Sequence, residues 1–184
     1  MLPLAMKLEG VKVLVVGAGR VGASKAAQCL ASGARVSVIA TEVTGRLPSK
    51  LDHVQRRAYV SGDLAGFSLV IAATGDPEVN DRIVEEAKRR GLWLNVVDDP
   101  ERSNFYFMAL LRRGEVIAAI TTQGASPALA QELRDRVAAA VPESAAHAAA
   151  VLRAERRELH DAGASTEGID WRRRVRQLLG DGAL

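Results

Sequence analysis

"KVLVVGAGRVG", Lys12 to Gly22, decides how the rest of the chain is read. A valine-rich apolar run, Lys12–Val16, leads straight into Gly17-Ala18-Gly19-Arg20-Val21-Gly22, the spacing G-x-G-x-x-G. The next segment, "ASKAAQCLASG", is a run of small helix-forming residues that stops at Gly33. With a strand before it and a helix after it, the spacing has specific physical content. Gly17 allows a tight turn, Gly19 lets backbone approach a pyrophosphate, and Gly22 lets the helix pack closely on the strand. The helix N-terminus adds free N–H groups and a partial positive charge for phosphates. In this context the motif predicts a dinucleotide site.

Outward from this stretch, strands and helices alternate. "RVSVI" (Arg35–Ile39) reads as a second strand, "RRAYV" (Arg56–Val60) as a weaker third, "SLVIAAT" as a fourth and "WLNVV" (Trp93–Val97) as a fifth. Between the last two, Asp76-Pro77 supplies an N-cap and a first-turn proline. Val79, Ile83, Val84 and Ala87 follow at helical spacing, and Gly91 ends the helix. Continuously apolar strands alternating with helices predict a parallel sheet covered on both faces, an α/β Rossmann-like fold. After Pro100 the rhythm changes. "EVIAAI" is a further strand, followed by "TTQGASP" and a helix that repeats the cap-and-proline device at Ser126-Pro127. That helix stacks Leu129, Leu133, Val137 and Val141 on one side. Two helical stretches separated by "DAGASTEG" finish the chain. The expected boundaries fall near Arg113 and Pro142, giving segments 1–113, 114–142 and 143–184.

Composition narrows the function classes. The chain has 184 residues, 48% hydrophobic and 26% charged, which suits one substantial core with a smaller attachment. A net charge of +3 suits an anionic small ligand, and no block of basic residues interleaved with aromatics suggests nucleic acid. No apolar run is long enough for a membrane helix, and "MLPLAMKLEG" is wrongly ordered for a signal peptide. The single cysteine, Cys29, cannot pair within the chain, so a reducing cytoplasm is expected. His53, His147 and His160 lack the spacing of a protein metal site.

Two carboxylate positions carry open alternatives. Dinucleotide folds place an acid at the tip of the second strand for the ribose hydroxyls. Here the tip reads "VIATEV", so Glu42, with Thr41 beside it, is either that acid or a solvated loop charge. No arginine follows the strand to hold a 2′-phosphate, which favours NAD over NADP. In "LNVVDDPERSNF", Asp98 and Asp99 end the fifth strand at the sheet edge where ligands bind. Read from chemistry alone, either aspartate makes an Asx-type turn into Pro100, or one of them does chemistry.

The succession "VLVVGAGRVGASKAAQCLASGARVSVIA", "LVIAATGDPEVN", "LNVVDDPERSNFYF" and "VIAAITTQGASPALAQELRDRV" resembles the siroheme synthase dehydrogenase family over roughly residues 4–142. Its members are precorrin-2 dehydrogenases, some of which also insert iron into sirohydrochlorin. The resemblance implies a dinucleotide-binding domain, a dimerisation segment and a small helical domain, in a homodimer that uses NAD on a tetrapyrrole substrate. It puts the catalytic aspartate at Asp98 and leaves Asp99 the turn. It puts cofactor contacts at Gly17, Gly19, Arg20, Val21, Thr41 and Glu42, with Ala73 and Thr74 under the nicotinamide side. Arg102, Arg112 and Arg113 are candidates for substrate carboxylates, each also readable as a surface charge. Met108 stands where many relatives have proline, and many have a third glycine where this chain has Ala18 and an alanine where it has Gly22.

A different class shares part of the pattern. Nucleotide-sensing regulatory domains of cation channels and transporters also carry G-x-G-x-x-G and a stretch like "ATGDPEVN" (Ala73–Asn80). They usually have an acid where this chain has Ala40-Thr41, and they continue the sheet after the fifth strand.

Overall fold

The computed structural model describes residues 1–180, and the chain divides into two compact units, Met1–Tyr106 and the part from Phe107 onward. The first unit holds β1 (Lys12–Ala18), α1 (Arg20–Ala31), β2 (Arg35–Val43), β3 (His53–Arg56), β4 (Leu69–Ala72), α2 (Pro77–Arg90) and β5 (Trp93–Val96). The five strands form one parallel sheet in the order β3-β2-β1-β4-β5. The order reverses at β1, whose carboxyl end runs into the glycine loop. That is where open α/β sheets bind ligands.

The apolar runs are continuous because the central strands are covered on both faces. Val13, Leu14, Val15 and Val16 of β1 are buried, as is every residue of β4. Small residues on α1 (Gly22, Ala23, Ala26 and Cys29) are its buried positions. Helix α2 starts as its sequence predicts. The Asp76 carboxylate accepts from the N–H groups of Glu78 at 2.9 Å and Val79 at 3.3 Å, and Pro77 follows at once. Gly91 ends the helix in the left-handed conformation, φ +66°.

The third strand differs from expectation: it is His53–Arg56, not Arg56–Val60. It is an edge strand whose four residues are all exposed, so it carries no apolar signature. Tyr59 is buried for another reason. Its hydroxyl donates to Glu86 Oε2 at 2.6 Å, and the Gly62 N–H donates to the same oxygen at 2.8 Å. Arg90 Nε donates to Glu86 Oε1 at 2.7 Å. Burial pushes the Glu86 carboxyl up, but these three donors outweigh it and hold it below its ordinary range. A buried carboxylate on α2 thus fastens the connection between β3 and β4.

The segment after β5 closes the other edge of the sheet. The Val96 N–H donates to Ser103 Oγ at 2.9 Å and the Leu94 N–H to Asn104 Oδ1 at 2.7 Å, while the Asn104 N–H donates to the Leu94 carbonyl at 2.9 Å. Ser103 and Asn104 therefore satisfy edge groups that a sixth strand would have paired. The sheet stops there.

In the second unit, β6 (Ala109–Arg113) and β7 (Val116–Ile120) form an antiparallel hairpin turning at Gly114, φ +55°. Strand β6 has no counterpart in the sequence reading, because "MALLRR" has the composition of a helix rather than a strand. The boundary expected near Arg113 accordingly falls at the hairpin turn. Helix α3 (Pro127–Ala140) packs on both strands, with Ser126 Oγ accepting from the Leu129 N–H at 3.1 Å. Val141, expected on the helix stripe, is its C-cap residue instead. Helices α4 (Ser144–Asp161) and α5 (Trp171–Leu179) pack together, joined by the Arg174–Glu155 ion pair at 2.5 Å.

Candidate dinucleotide site

The glycine loop is shaped by backbone contacts. Gly17 has φ +103°, and a Cβ there would lie 2.2 Å from the Ala73 carbonyl oxygen. At Gly22 a Cβ would lie 2.1 Å from the Gly17 carbonyl oxygen. Both positions are filled by the protein itself, so a side chain on either displaces the loop. Gly19 is different. A Cβ there meets nothing nearer than Thr44 Oγ1 at 3.9 Å, and its φ of −73° is ordinary. The space over Gly19 is open. Gly19 is also the N-cap of α1 and offers no capping side chain, and no acid stands in the first turn. The N–H groups opening α1 are left for an anion. These features fit a dinucleotide pyrophosphate: tight backbone at Gly17 and Gly22, free room at Gly19.

A cleft of about 340 Å³ opens at this loop. Of the residues expected at the cofactor, Gly17, Gly19, Thr41, Glu42, Ala73 and Thr74 line it. Arg20, Val21 and Gly22 belong to the first turn of α1 and do not line it, nor does Asp98. Strand β2 reaches Thr41 and Glu42 by running on to Val43. The register with β1 slips between Val16 and Ala18, so Val16 faces Ile39 but Ala18 faces Val43. Ala73 supplies the carbonyl against Gly17. Thr74 turns its hydroxyl toward α2, 2.6 Å from Asn80 Oδ1, and also accepts from the Asp76 N–H at 3.3 Å.

Three residues here escaped the sequence reading. Arg57 and Tyr59 line the cleft, because β3 ends at Arg56 and the chain then turns across the sheet edge. Assigning "RRAYV" to a strand hid them. Gly45 is the third: a Cβ there would lie 2.4 Å from the Gly19 carbonyl oxygen, and its N–H donates to the Ala18 carbonyl at 2.8 Å. The chain leaving β2 therefore packs against the glycine loop. Thr44-Gly45, directly after β2, is the local signal for it.

Asp98 and Asp99 take different environments. The Asp99 N–H donates to the Val96 carbonyl at 3.2 Å, closing a turn in which Asp98 occupies the third position with φ +60°. That left-handed conformation costs a non-glycine residue about 1 kcal/mol. The Asp98 carboxylate is exposed and makes no hydrogen bond among the described residues. Asp99 accepts from the Arg102 N–H at 3.1 Å and from Arg102 Nε at 2.5 Å, and Arg102 also reaches Asp81. The Arg102 guanidinium holds the Asp99 carboxyl below its usual range. Arg102, a candidate for substrate carboxylates, is thus already engaged by two acids. On α1, burial pushes the Lys25 ammonium below its ordinary value, against the raising influence of the Cys29 sulfur and the Asp98 carboxylate. Burial also pushes the Cys29 thiol up to about 11, the mark of an unreactive core cysteine.

Arg112 and Arg113 lie in the second unit, on β6; Arg113 pairs with Glu143 at 3.0 Å. Among the described residues, no helix is long and apolar enough to cross a membrane.

A doubly wound parallel sheet with a backbone cradle at its switch point defines a dinucleotide-binding α/β protein. Residues 4–109 match a family model described as "Putative NAD(P)-binding". Siroheme synthase 2 of Aeromonas hydrophila is 38% identical over 144 residues, 77% of this chain and 30% of that protein. Siroheme synthase of Tolumonas auensis is 34% identical over 183 residues, 98% of this chain and 36% of that protein. The chain thus spans about a third of the length of these curated relatives. A solved structure titled "SirC, precorrin-2 dehydrogenase" superposes with a TM-score of 0.74 at 24% identity, covering 98% of this chain and 90% of that one. At that identity the agreement is one of fold. The chain belongs to this NAD(P)-binding family and, with siroheme synthases as its relatives, to the siroheme synthase dehydrogenase family that its motifs resemble.

Proposed function

We propose that the chain is an NAD-dependent dehydrogenase that oxidises precorrin-2 to sirohydrochlorin in siroheme biosynthesis, acting as a homodimer with Asp98 as the proton acceptor. The observation that carries this reading is Asp98 itself. A residue held at φ +60° at the carboxyl end of β5, with an exposed carboxylate that accepts no hydrogen bond among the described residues and has the Lys25 ammonium of α1 as its charged neighbour, fits a functional rather than an architectural role. Its neighbour Asp99 supplies the architecture.

When bound, NAD supplies the two-electron acceptor for the dehydrogenation. Gly17, Gly19 and the N-terminus of α1 would hold its pyrophosphate, and Glu42 its ribose hydroxyls. Asp98 would take the proton that leaves the tetrapyrrole carbon, a role worth about 10²- to 10⁴-fold in rate. Iron insertion into the product, the further activity of some family members, also needs an acceptor for the pyrrole protons. Asp98 is an exposed carboxylate at the carboxyl end of β5 with no hydrogen-bond partner among the described residues.

The homodimer reading rests on the second unit. Leu110 and Ile117 on the exposed face of the hairpin, and Leu129 and Leu133 on α3, leave apolar side chains 36–50% exposed, exposure of the kind that pairs across a two-fold axis.

The test is a mixture of protein, NAD and precorrin-2, followed for NADH absorbance and for the sirohydrochlorin spectrum. Both should appear together in equal amounts. Tight NAD binding without turnover would overturn the enzyme reading in favour of a nucleotide-sensing module. The closed edge beside β5, where such modules continue their sheet, speaks against that class.

A further inference from the structure

Arg57 lines the dinucleotide cleft together with Thr41 and Glu42. The pairing of Ala40 with Arg56 sets it directly beyond β3, next to the end of β2, where a cofactor's adenosine ribose is discriminated in this class of fold. An unengaged arginine there is the usual means of holding a 2′-phosphate, because its planar fork binds phosphate oxygens in pairs. In this protein the fork is taken. Arg57 Nη1 and Nη2 donate to the two carboxylate oxygens of Asp63 at 2.7 and 2.8 Å. Nη1 also donates to the Ala58 carbonyl at 3.0 Å, and Nε donates to Gln55 Oε1 at 2.8 Å.

Asp63 is itself fixed. Its Oδ2 accepts from the Val60 N–H at 2.9 Å, its own N–H donates back to the Val60 carbonyl at 3.1 Å, and its side chain is only 12% exposed. The turn carrying it is further tied down by the Gly62 N–H on buried Glu86. Displacing Asp63 from Arg57 therefore means breaking a two-point ion pair in a turn anchored to α2. Arg20 and Arg56 do not line the cleft. With Arg57 neutralised, Glu42 leaves this end of the cleft with a net negative charge.

We infer that Asp63 is a specificity-determining residue: by occupying the guanidinium of Arg57 it denies the cleft a 2′-phosphate site and sets its preference for NAD over NADP. The inference rests on the reading of the cleft as a dinucleotide site and names what enforces its choice. The Arg57 guanidinium also holds the Asp63 carboxyl below its ordinary range, so the pair stays charged at neutral pH.

The experiment is calorimetric titration of the full chain with NAD and with NADP at one ionic strength. Wild type should bind NAD more tightly. Asp63→Asn keeps the shape of the side chain and its acceptor for Val60 but releases the charge of Arg57. It should strengthen NADP binding by about tenfold and change NAD binding by less than about threefold. Adding Arg57→Met to Asp63→Asn should erase the gain. The inference is overturned if Asp63→Asn leaves the NAD-to-NADP ratio unchanged, or if the gain survives loss of Arg57. Arg57→Met alone covers the case in which Asp63→Asn does not fold. It should leave NADP affinity as in wild type, because the fork is already occupied, and a marked loss of NADP binding would show Arg57 to be available after all. Wild-type protein that bound neither dinucleotide would sink the reading of the cleft itself, a separate failure.

Discussion

Asp99 holds Arg102 at two points, accepting from its backbone N–H at 3.1 Å and from its Nε at 2.5 Å, while Asp98, one residue earlier, keeps φ +60° and an exposed carboxylate. Two adjacent and chemically identical side chains thus have opposite surroundings. Asp98→Asn should preserve the turn, since asparagine tolerates the left-handed conformation at least as well as aspartate. Melting temperature and NAD affinity should stay within error, with precorrin-2 oxidation down by about 10²-fold or more. Asp99→Asn should keep most activity and lower the melting temperature only slightly, because the pair it weakens is partly solvated. Equal loss of activity in both variants would refute the division of roles.

The glycine loop separates two kinds of glycine. Gly17→Ala puts a Cβ 2.2 Å from the Ala73 carbonyl oxygen at φ +103°. It should cost about 2–4 kcal/mol in denaturant unfolding. Gly19→Val enters open space at an ordinary φ, so its circular dichroism and melting temperature should match wild type. NAD binding by calorimetry should nevertheless be lost, because the side chain fills the pyrophosphate's approach. Unchanged NAD affinity in Gly19→Val would remove this loop from the binding site.

Glu86 gives the pH dependence. Its folded-state carboxyl lies below the ordinary range, so its contribution is present above the unfolded value near 4.3 and is lost as pH falls through the folded value. Glu86→Gln should lose about 2 kcal/mol at pH 7, the scale of charged hydrogen bonds to a buried acceptor. The gap to wild type should narrow as pH falls below the unfolded carboxyl's range and close once pH has passed the still lower folded value. Urea titrations at pH 7, 5 and 3 check this, and a gap independent of pH would show that the network does not depend on charge.

The apolar face of the second unit gives a test of assembly. Ile117 is 50% exposed on β7, and its side chain stands opposite Arg112 of β6. Ile117→Glu should shift the mass measured by light scattering at micromolar concentration from dimer to monomer, with NAD affinity retained. A wild-type monomer mass would contradict the proposed assembly outright.

Much of this protein was legible in its chain because two local signals are strong. The buried central strands read as uninterrupted apolar runs, and the caps at Asp76-Pro77, Gly91 and Ser126-Pro127 mark helix ends through short-range hydrogen bonds and backbone sterics. The glycine spacing likewise announced a strand–turn–helix, since its reasons are local. Strand β3 was misplaced because an edge strand with four exposed residues buries nothing that patterning could reveal. Strand β6 was missed because hairpin pairing with β7 overrides the helical composition of its residues.

The sequence by itself determined the parallel α/β architecture, the turn at Gly17 and the candidate acids Asp98 and Asp99, all features set within a few residues of chain. Only the tertiary structure decided that Gly17 and Gly22 are filled while Gly19 is open, that Gly45 packs on the loop, and that Asp63, six residues from Arg57, neutralises it at the cleft. Gly17 and Gly45 meet a carbonyl brought in from elsewhere in the chain, while Gly22 and the Arg57–Asp63 pair depend on how one turn folds back on itself, and no periodicity along a segment records either.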